Sequence, residues 1–168
     1  MKKVLILLLT LIFFGAIQSC KKGENDPLIS LRSRDSRITG NWILVNAETN
    51  SNIDGDISSA TYTNSIMTET SNDNSSSYSY SINWDVKSDG TINSSETING
   101  YLSTSMLTWY WLDDNQKKTK IFISGGEGIY VVDRLTNKEL VLKYQYEYSN
   151  PSGNDLEIYS STITFEKD

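Results

Sequence analysis

The chain is predicted to be all-β: an antiparallel up-and-down meander of eight to nine strands, closing into a barrel or a strongly curved sandwich. Three observations carry this. Tyr78, Tyr80, Ile82, Trp84 and Val86 alternate with Ser79, Ser81, Asn83, Asp85 and Lys87, a period of two that fits a strand with one solvated face. Leu140, Leu142, Tyr144, Tyr146 and Tyr148 repeat that pattern against Val141, Lys143, Gln145 and Glu147. Beyond residue 20 no apolar stripe of helical period exceeds two turns, so the crossover helices of a parallel sheet are excluded.

Taken in order, Trp42 to Ala47 reads as the first strand. Between Thr49 and Ser81, 20 of 33 residues are Ser, Thr or Asn, so only Ala60 to Glu69 is read there as a strand, with loops before it and at Ser71 to Ser77. The Tyr78 strand runs into Asp89-Gly90, read as a type I′ hairpin because both central positions of that turn need positive φ. Thr91 to Asn99 returns, Gly100 turns the chain again, and Tyr101 to Leu112 forms a long strand ended by Asp113-Asp114-Asn115-Gln116. In that strand Trp109, Tyr110 and Trp111 are adjacent and must divide between the two faces. Short strands at Thr119 to Ser124 and Gly128 to Asp133 follow, then the Leu140 strand. After Asn150-Pro151-Ser152-Gly153 comes a last one, Leu156 to Glu166.

The first 20 residues read as an export signal. Lys2 and Lys3 precede an apolar run from Val4 to Ile17, too short for the about 20 residues of a membrane-spanning helix and ended by Gln18-Ser19-Cys20. With Ile17, Ser19 and Cys20 in place, this segment resembles a bacterial lipoprotein signal. The resemblance implies cleavage between Ser19 and Cys20, acylation of Cys20 with palmitate-type chains and export to a membrane. Lys21 after the cysteine implies the outer membrane. The division expected is a signal peptide over residues 1–19, a lipidated flexible tether over 20–37 and a barrel domain over 38–168.

Charge separates tether from domain. Residues 20–38 hold five basic and three acidic residues, whereas residues 39–168 hold eight basic and eighteen acidic ones, about ten charges negative. A body so acidic repels a phosphate backbone, and nucleic acid is excluded as a partner. The absence of histidine removes His-based nucleophilic triads, His-type zinc sites and imidazole pH switches. The lone cysteine forms no intrachain disulfide.

Ile38-Thr39-Gly40-Asn41-Trp42 carries a Gly-x-Trp, and with the Asp89-Gly90-Thr91 turn and the Leu135 to Leu142 segment the chain resembles the lipocalin-like, calycin-type domains of bacterial lipoproteins. The resemblance implies a barrel that Gly40 leads into and Trp42 plugs at one end, and binding of a small hydrophobic or amphipathic molecule.

Inward aromatic residues line apolar pockets, which makes Trp84, Tyr144 and Tyr146 the candidate ligand contacts; the same rings fill space in a solid barrel. In that case the outer face would dock a protein or glycan partner. Asn52-Ile53-Asp54-Gly55-Asp56 has oxygen donors at alternate positions but not the spacing of a calcium loop, and it is read as a turn. Asp113 with Asp114 is read as a solvated turn, not a catalytic pair, and Gly125-Gly126-Glu127-Gly128 as a turn, not a phosphate loop. No catalytic constellation, metal site or cofactor is assigned, and the chain is read as a binding protein, not an enzyme.

Overall fold

The computed structural model describes residues 26, 32–72, 74–113, 118–125, 128–149 and 156–168. Residues 1–19, read from the sequence as a signal peptide, and Cys20 lie outside the described residues. A one-turn helix, α1 (Arg34–Ile38), leads into ten antiparallel strands: β1 (Gly40–Ile53), β2 (Asp56–Thr63), β3 (Ile66–Ser71), β4 (Asn74–Val86), β5 (Thr91–Ile98), β6 (Tyr101–Trp111), β7 (Lys120–Ile123), β8 (Gly128–Leu135), β9 (Glu139–Ser149) and β10 (Leu156–Lys167). Each pairs with its neighbour in sequence, and β10 returns to β1, so the meander closes into a barrel. All ladders are antiparallel, as the alternating patterns require.

The count is ten, not eight or nine, for a local reason. Ala60 to Glu69 is two strands, because Asn64 and Ser65 take positive φ (51° and 64°) and form a two-residue turn between Thr63 and Ile66. Both central residues of a type I′ turn need that region, and here it is reached without glycine. The Ser71 to Ser77 stretch is no loop either: β4 starts at Asn74 and pairs with β3 through Ser75–Thr70 and Ser77–Thr68. Hydroxyl pairs such as Thr68–Ser77 (2.9 Å) and Thr49–Ser161 (3.1 Å) occupy places that apolar side chains take in most sheets.

The turn at Asp89-Gly90 also differs from expectation. Only Gly90 has positive φ (90°); its N–H donates to Lys87 O, and Asp89 accepts from the Thr91 N–H (3.0 Å) and hydroxyl (2.7 Å). This is a longer loop with glycine at its left-handed end, not a type I′ turn. The type I′ pattern sits instead at Asn99-Gly100 (φ 50° and 84°) and at Asp54-Gly55 (φ 55° and 93°).

Two hairpins are only half the height of the barrel, on opposite sides and at opposite ends. Below β2–β3, β1 pairs directly with β4 (Gly40–Val86 to Ile43–Asn83), so the base closes on eight strands: β1, β4, β5, β6, β7, β8, β9 and β10. The β7–β8 hairpin belongs to that base alone. It pairs with β6 from Trp109 to Trp111 and with β9 from Leu140 to Lys143. Above it, no described strand lies between β6 and β9.

The core occupies the base. Trp42, Leu44, Val86, Ile92, Trp109, Trp111, Ile121, Ile123, Tyr130, Val132, Leu135, Leu140, Leu142 and Phe165 are all buried there, with Ile38 of α1 laid across the end. Trp109 and Trp111 point inward edge to face (5.9 Å), whereas Tyr110 between them stacks on Phe122 outside (5.0 Å).

Candidate functional site

At the closed end, Trp42 is wholly buried, its indole N–H donates to Ile38 O (2.6 Å), and the Lys167 ammonium lies 4.8 Å from the ring centre. Gly40 is favoured by its backbone: its φ is +123°, whereas a Cβ there would only displace the flexible end of Lys167, whose Cε stands 2.7 Å away. Burial holds the Lys167 ammonium below its ordinary pKa, and Arg32 adds to this by like-charge repulsion.

The 20–37 segment reads as a linker from its composition, yet its described residues pack on this end. Ser33 caps α1 by accepting from Ser36 N–H (3.2 Å), and Arg34 and Arg37 enter the base. Both guanidiniums meet Asp26, at 3.2 Å (Arg34 Nε) and 3.0 Å (Arg37 Nη2), with all three side chains almost free of solvent. Asp26 also accepts the Leu135 N–H (2.8 Å), and Arg37 donates to Leu135 O. Asp35, on the wet side of α1, accepts from the Trp111 indole (2.8 Å) and Lys118. Burial raises its pKa, but these donors outweigh that and hold it low. Residues at positions 26, 34, 37 and 135 thus form one plug, which separation in sequence hides.

The opposite end is open and differently made. By register, eight of the ten tyrosines (Tyr62, Tyr78, Tyr80, Tyr101, Tyr144, Tyr146, Tyr148 and Tyr159) fall on the inner face; Tyr62 is the uppermost buried member of the core, Tyr80 and Tyr144 pack against that core, and the others stand towards the mouth. Tyr144 meets Tyr130 of the core (5.8 Å) and Tyr159 (5.5 Å), and Tyr146 stacks on Tyr148 (6.4 Å, 3°). Across the barrel, Tyr80 packs edge-on against Tyr62 (5.8 Å) and Tyr78 (6.2 Å). The Tyr78 hydroxyl donates to Glu69 (2.7 Å), which pushes its pKa up to about 12. Burial, then its hydrogen bond to Glu96 (2.6 Å), raises that of Tyr80 further. Both phenols stay protonated donors at neutral pH.

Between β1, β2, β3, β4 and β10 lies a mouth cavity of about 510 Å³, lined by Thr49, Ser51, Ser58, Ser59, Ala60, Glu69, Thr70, Ser71, Asn74, Ser75, Ser76 and Tyr159. The lining is mostly hydroxyls, with one carboxylate (Glu69), one amide (Asn74), Ala60 and the single ring of Tyr159. It is no hydrocarbon pocket.

Charge divides along the same line. The row Lys143–Thr162–Glu48 crosses β9, β10 and β1 at mid-height. Towards the mouth the described residues include six acids (Asp54, Asp56, Glu69, Glu96, Glu147 and Glu157) and no lysine or arginine. Every described lysine and arginine other than Lys143 belongs to the base, nine of them against nine acids.

The three aromatic residues singled out from sequence separate. Tyr144 sits where the filled base meets the open mouth, and Tyr146 is on the mouth wall, 42% exposed. Trp84 belongs to the base, stacked on Phe165 (4.4 Å), and is part of the filling. Asp54-Gly55 is the β1–β2 turn, where Asn52 Oδ1 accepts the Gly55 N–H (3.0 Å), and among the described residues no cluster of carboxylates is grouped to hold a metal. Asp113 accepts the Thr119 (2.8 Å) and Lys120 (3.0 Å) amides and so fastens the β6–β7 connection. Compared with known proteins, the chain matches no family model, no curated protein and no solved structure.

Proposed function

We propose that this chain is an exported, lipid-anchored, lipocalin-like binding protein that holds a small amphipathic molecule in the mouth of its barrel, with no catalytic step of its own. The single observation that carries this is the contrast inside one barrel: the base is packed solid around Trp42, while the upper half keeps an open cleft of about 510 Å³ walled by serine and threonine hydroxyls, Glu69 and the ring of Tyr159. A barrel whose only task was to be stable would fill both ends, since empty interior forfeits dispersion contacts.

The lining narrows the ligand. Tyrosine offers an apolar face and a hydroxyl at little entropic cost, and serine and threonine add adaptable donors and acceptors. With six acids and no cation on the described mouth, an anionic ligand meets repulsion and no counter-ion. The reading is therefore a neutral or cationic molecule with polar edges and a flat or aliphatic face. Native mass spectrometry of the protein lacking residues 1–20, purified without denaturant, tests this: a small molecule released on activation, and lost in Tyr146→Ala, supports it. A bare protein whose tyrosine fluorescence responds to no neutral or cationic amphiphile overturns it.

A second reading has its own observation. Outside the barrel, Met106 (73% exposed) and Tyr110 of β6, Phe122 of β7, and Ile129 and Val131 of β8 make an apolar stripe beside the upper part of β6, which no described strand pairs on that side, a surface that suits a protein or glycan partner.

A further inference from the structure

We infer that the barrel stands on the bilayer by its closed base, with the tyrosine-lined mouth turned away from the membrane that anchors it. The inference rests on the reading of Cys20 as the acylated residue. Asp26 is not a free linker residue: its carboxylate is sealed in the base by Arg34, Arg37 and the Leu135 amide. Six peptide steps separate Cys20 from Asp26, so the leash spans at most about 22 Å even fully extended. The 14 residues of β1, tilted as barrel strands are, span about 35 Å from base to mouth. While Asp26 stays docked, the leash is shorter than the barrel, so the barrel cannot stand mouth-down on the bilayer that anchors it.

Charge reaches the same orientation independently. Among the described residues the mouth carries six acids and no lysine or arginine, and an anionic bilayer surface repels that end. The base, with balanced charge and Arg32, Lys138 and Lys167 at its rim, carries no such penalty. The consequence for the site is direct. Its ligand arrives from the aqueous compartment or from an opposing surface, and the acyl chains of the anchoring leaflet are out of its reach.

The test uses the full acylated protein on vesicles of phosphatidylethanolamine and phosphatidylglycerol containing a headgroup-linked acceptor dye. With Cys20 blocked by acylation, a donor dye is attached through Asn137→Cys in the β8–β9 loop at the base, or through Ile57→Cys at the mouth; both positions are exposed. Several-fold more efficient energy transfer from position 137 than from position 57 is expected. A long Gly/Ser insertion between Lys22 and Gly23 should lower transfer from position 137 and bring the two together. Equal transfer without the insertion, or more from position 57, overturns the inference. Failure of the anchor reading looks different: the protein then takes up no labelled fatty acid and does not float with the vesicles.

Discussion

The two ends of this barrel are built from different alphabets. The base spends tryptophan, leucine, isoleucine and phenylalanine on a closed core and pairs two buried guanidiniums with one carboxylate in an Asp26–Arg34–Arg37 plug. The mouth is serine, threonine, asparagine and tyrosine, acidic throughout, with two carboxylate–phenol pairs on its inner wall. Strand pairing continues through both, so the backbone ladder is common property and the side chains make the difference. Stability is therefore concentrated at one end, and the other is free to be shaped by what it binds.

The comparison breaks most readily at Trp42. Replacing it with alanine removes a fully buried indole, its bond to Ile38 O and the seat of Lys167, and should lower unfolding free energy by about 3–5 kcal/mol in urea denaturation. A loss under about 1 kcal/mol would mean the base is not where the fold is held.

Next in size is Asp26→Asn, which leaves two buried guanidiniums facing a neutral amide. Removing one partner of a buried ion pair destabilises by about 3 kcal/mol or more, whereas Asp54→Asn at the exposed mouth turn should change stability by less than about 0.5 kcal/mol. Equal effects of the two would show that the plug is only lightly held.

These two positions also mark what could be read in the chain. Trp42 is visible through its Gly-x-Trp context, and β9 and the Tyr78–Val86 part of β4 through strict alternation, because one buried face imposes a period of two. Tyr144 and Tyr146 followed from the same alternation. Asp26 was invisible: its partners arrive from α1 and from Leu135, more than 100 residues away, and the segment has a linker's composition. Lys167 was missed likewise, since a terminal lysine gives no sign of the indole it covers. The β2–β3 turn escaped because Asn64-Ser65 reaches positive φ without glycine, and the start of β4 because Ser75, Ser76 and Ser77 pair through hydroxyls instead of apolar faces.

Alkaline titration sharpens the mouth side. Tyr78 and Tyr80 have folded-state pKa values above the ordinary 10.0, so their contribution to stability is whole below pH about 10 and is lost as pH rises through the folded values, about 12 for Tyr78. Tyrosinate absorbance should show two late-titrating phenols, one fewer in Tyr78→Phe. Tyr80→Phe, which frees half-buried Glu96 of its donor, should lower stability by about 1 kcal/mol at pH 7. If all ten tyrosines ionise together below pH 11 with the fold intact, the phenol–carboxylate pairs do not exist in solution.

The smallest stability effect belongs to the cavity wall, and it is the most telling about function. Ser51 and Ser58 share a hydroxyl hydrogen bond of 2.6 Å on facing strands, both lining the mouth space. Replacing both with alanine deletes a pair whose polar groups water serves in the unfolded chain, and no buried donor is left behind because both partners go together. Stability should therefore move by less than about 0.5 kcal/mol. A wall that only completed a sheet would show nothing else. A wall that meets a ligand would lose affinity out of proportion to stability, so weakened retention of the co-purifying molecule beside an unchanged urea midpoint is the expected outcome. A loss above about 1.5 kcal/mol would instead make the mouth a second core, and the division between a stabilising base and a binding mouth would fall with it.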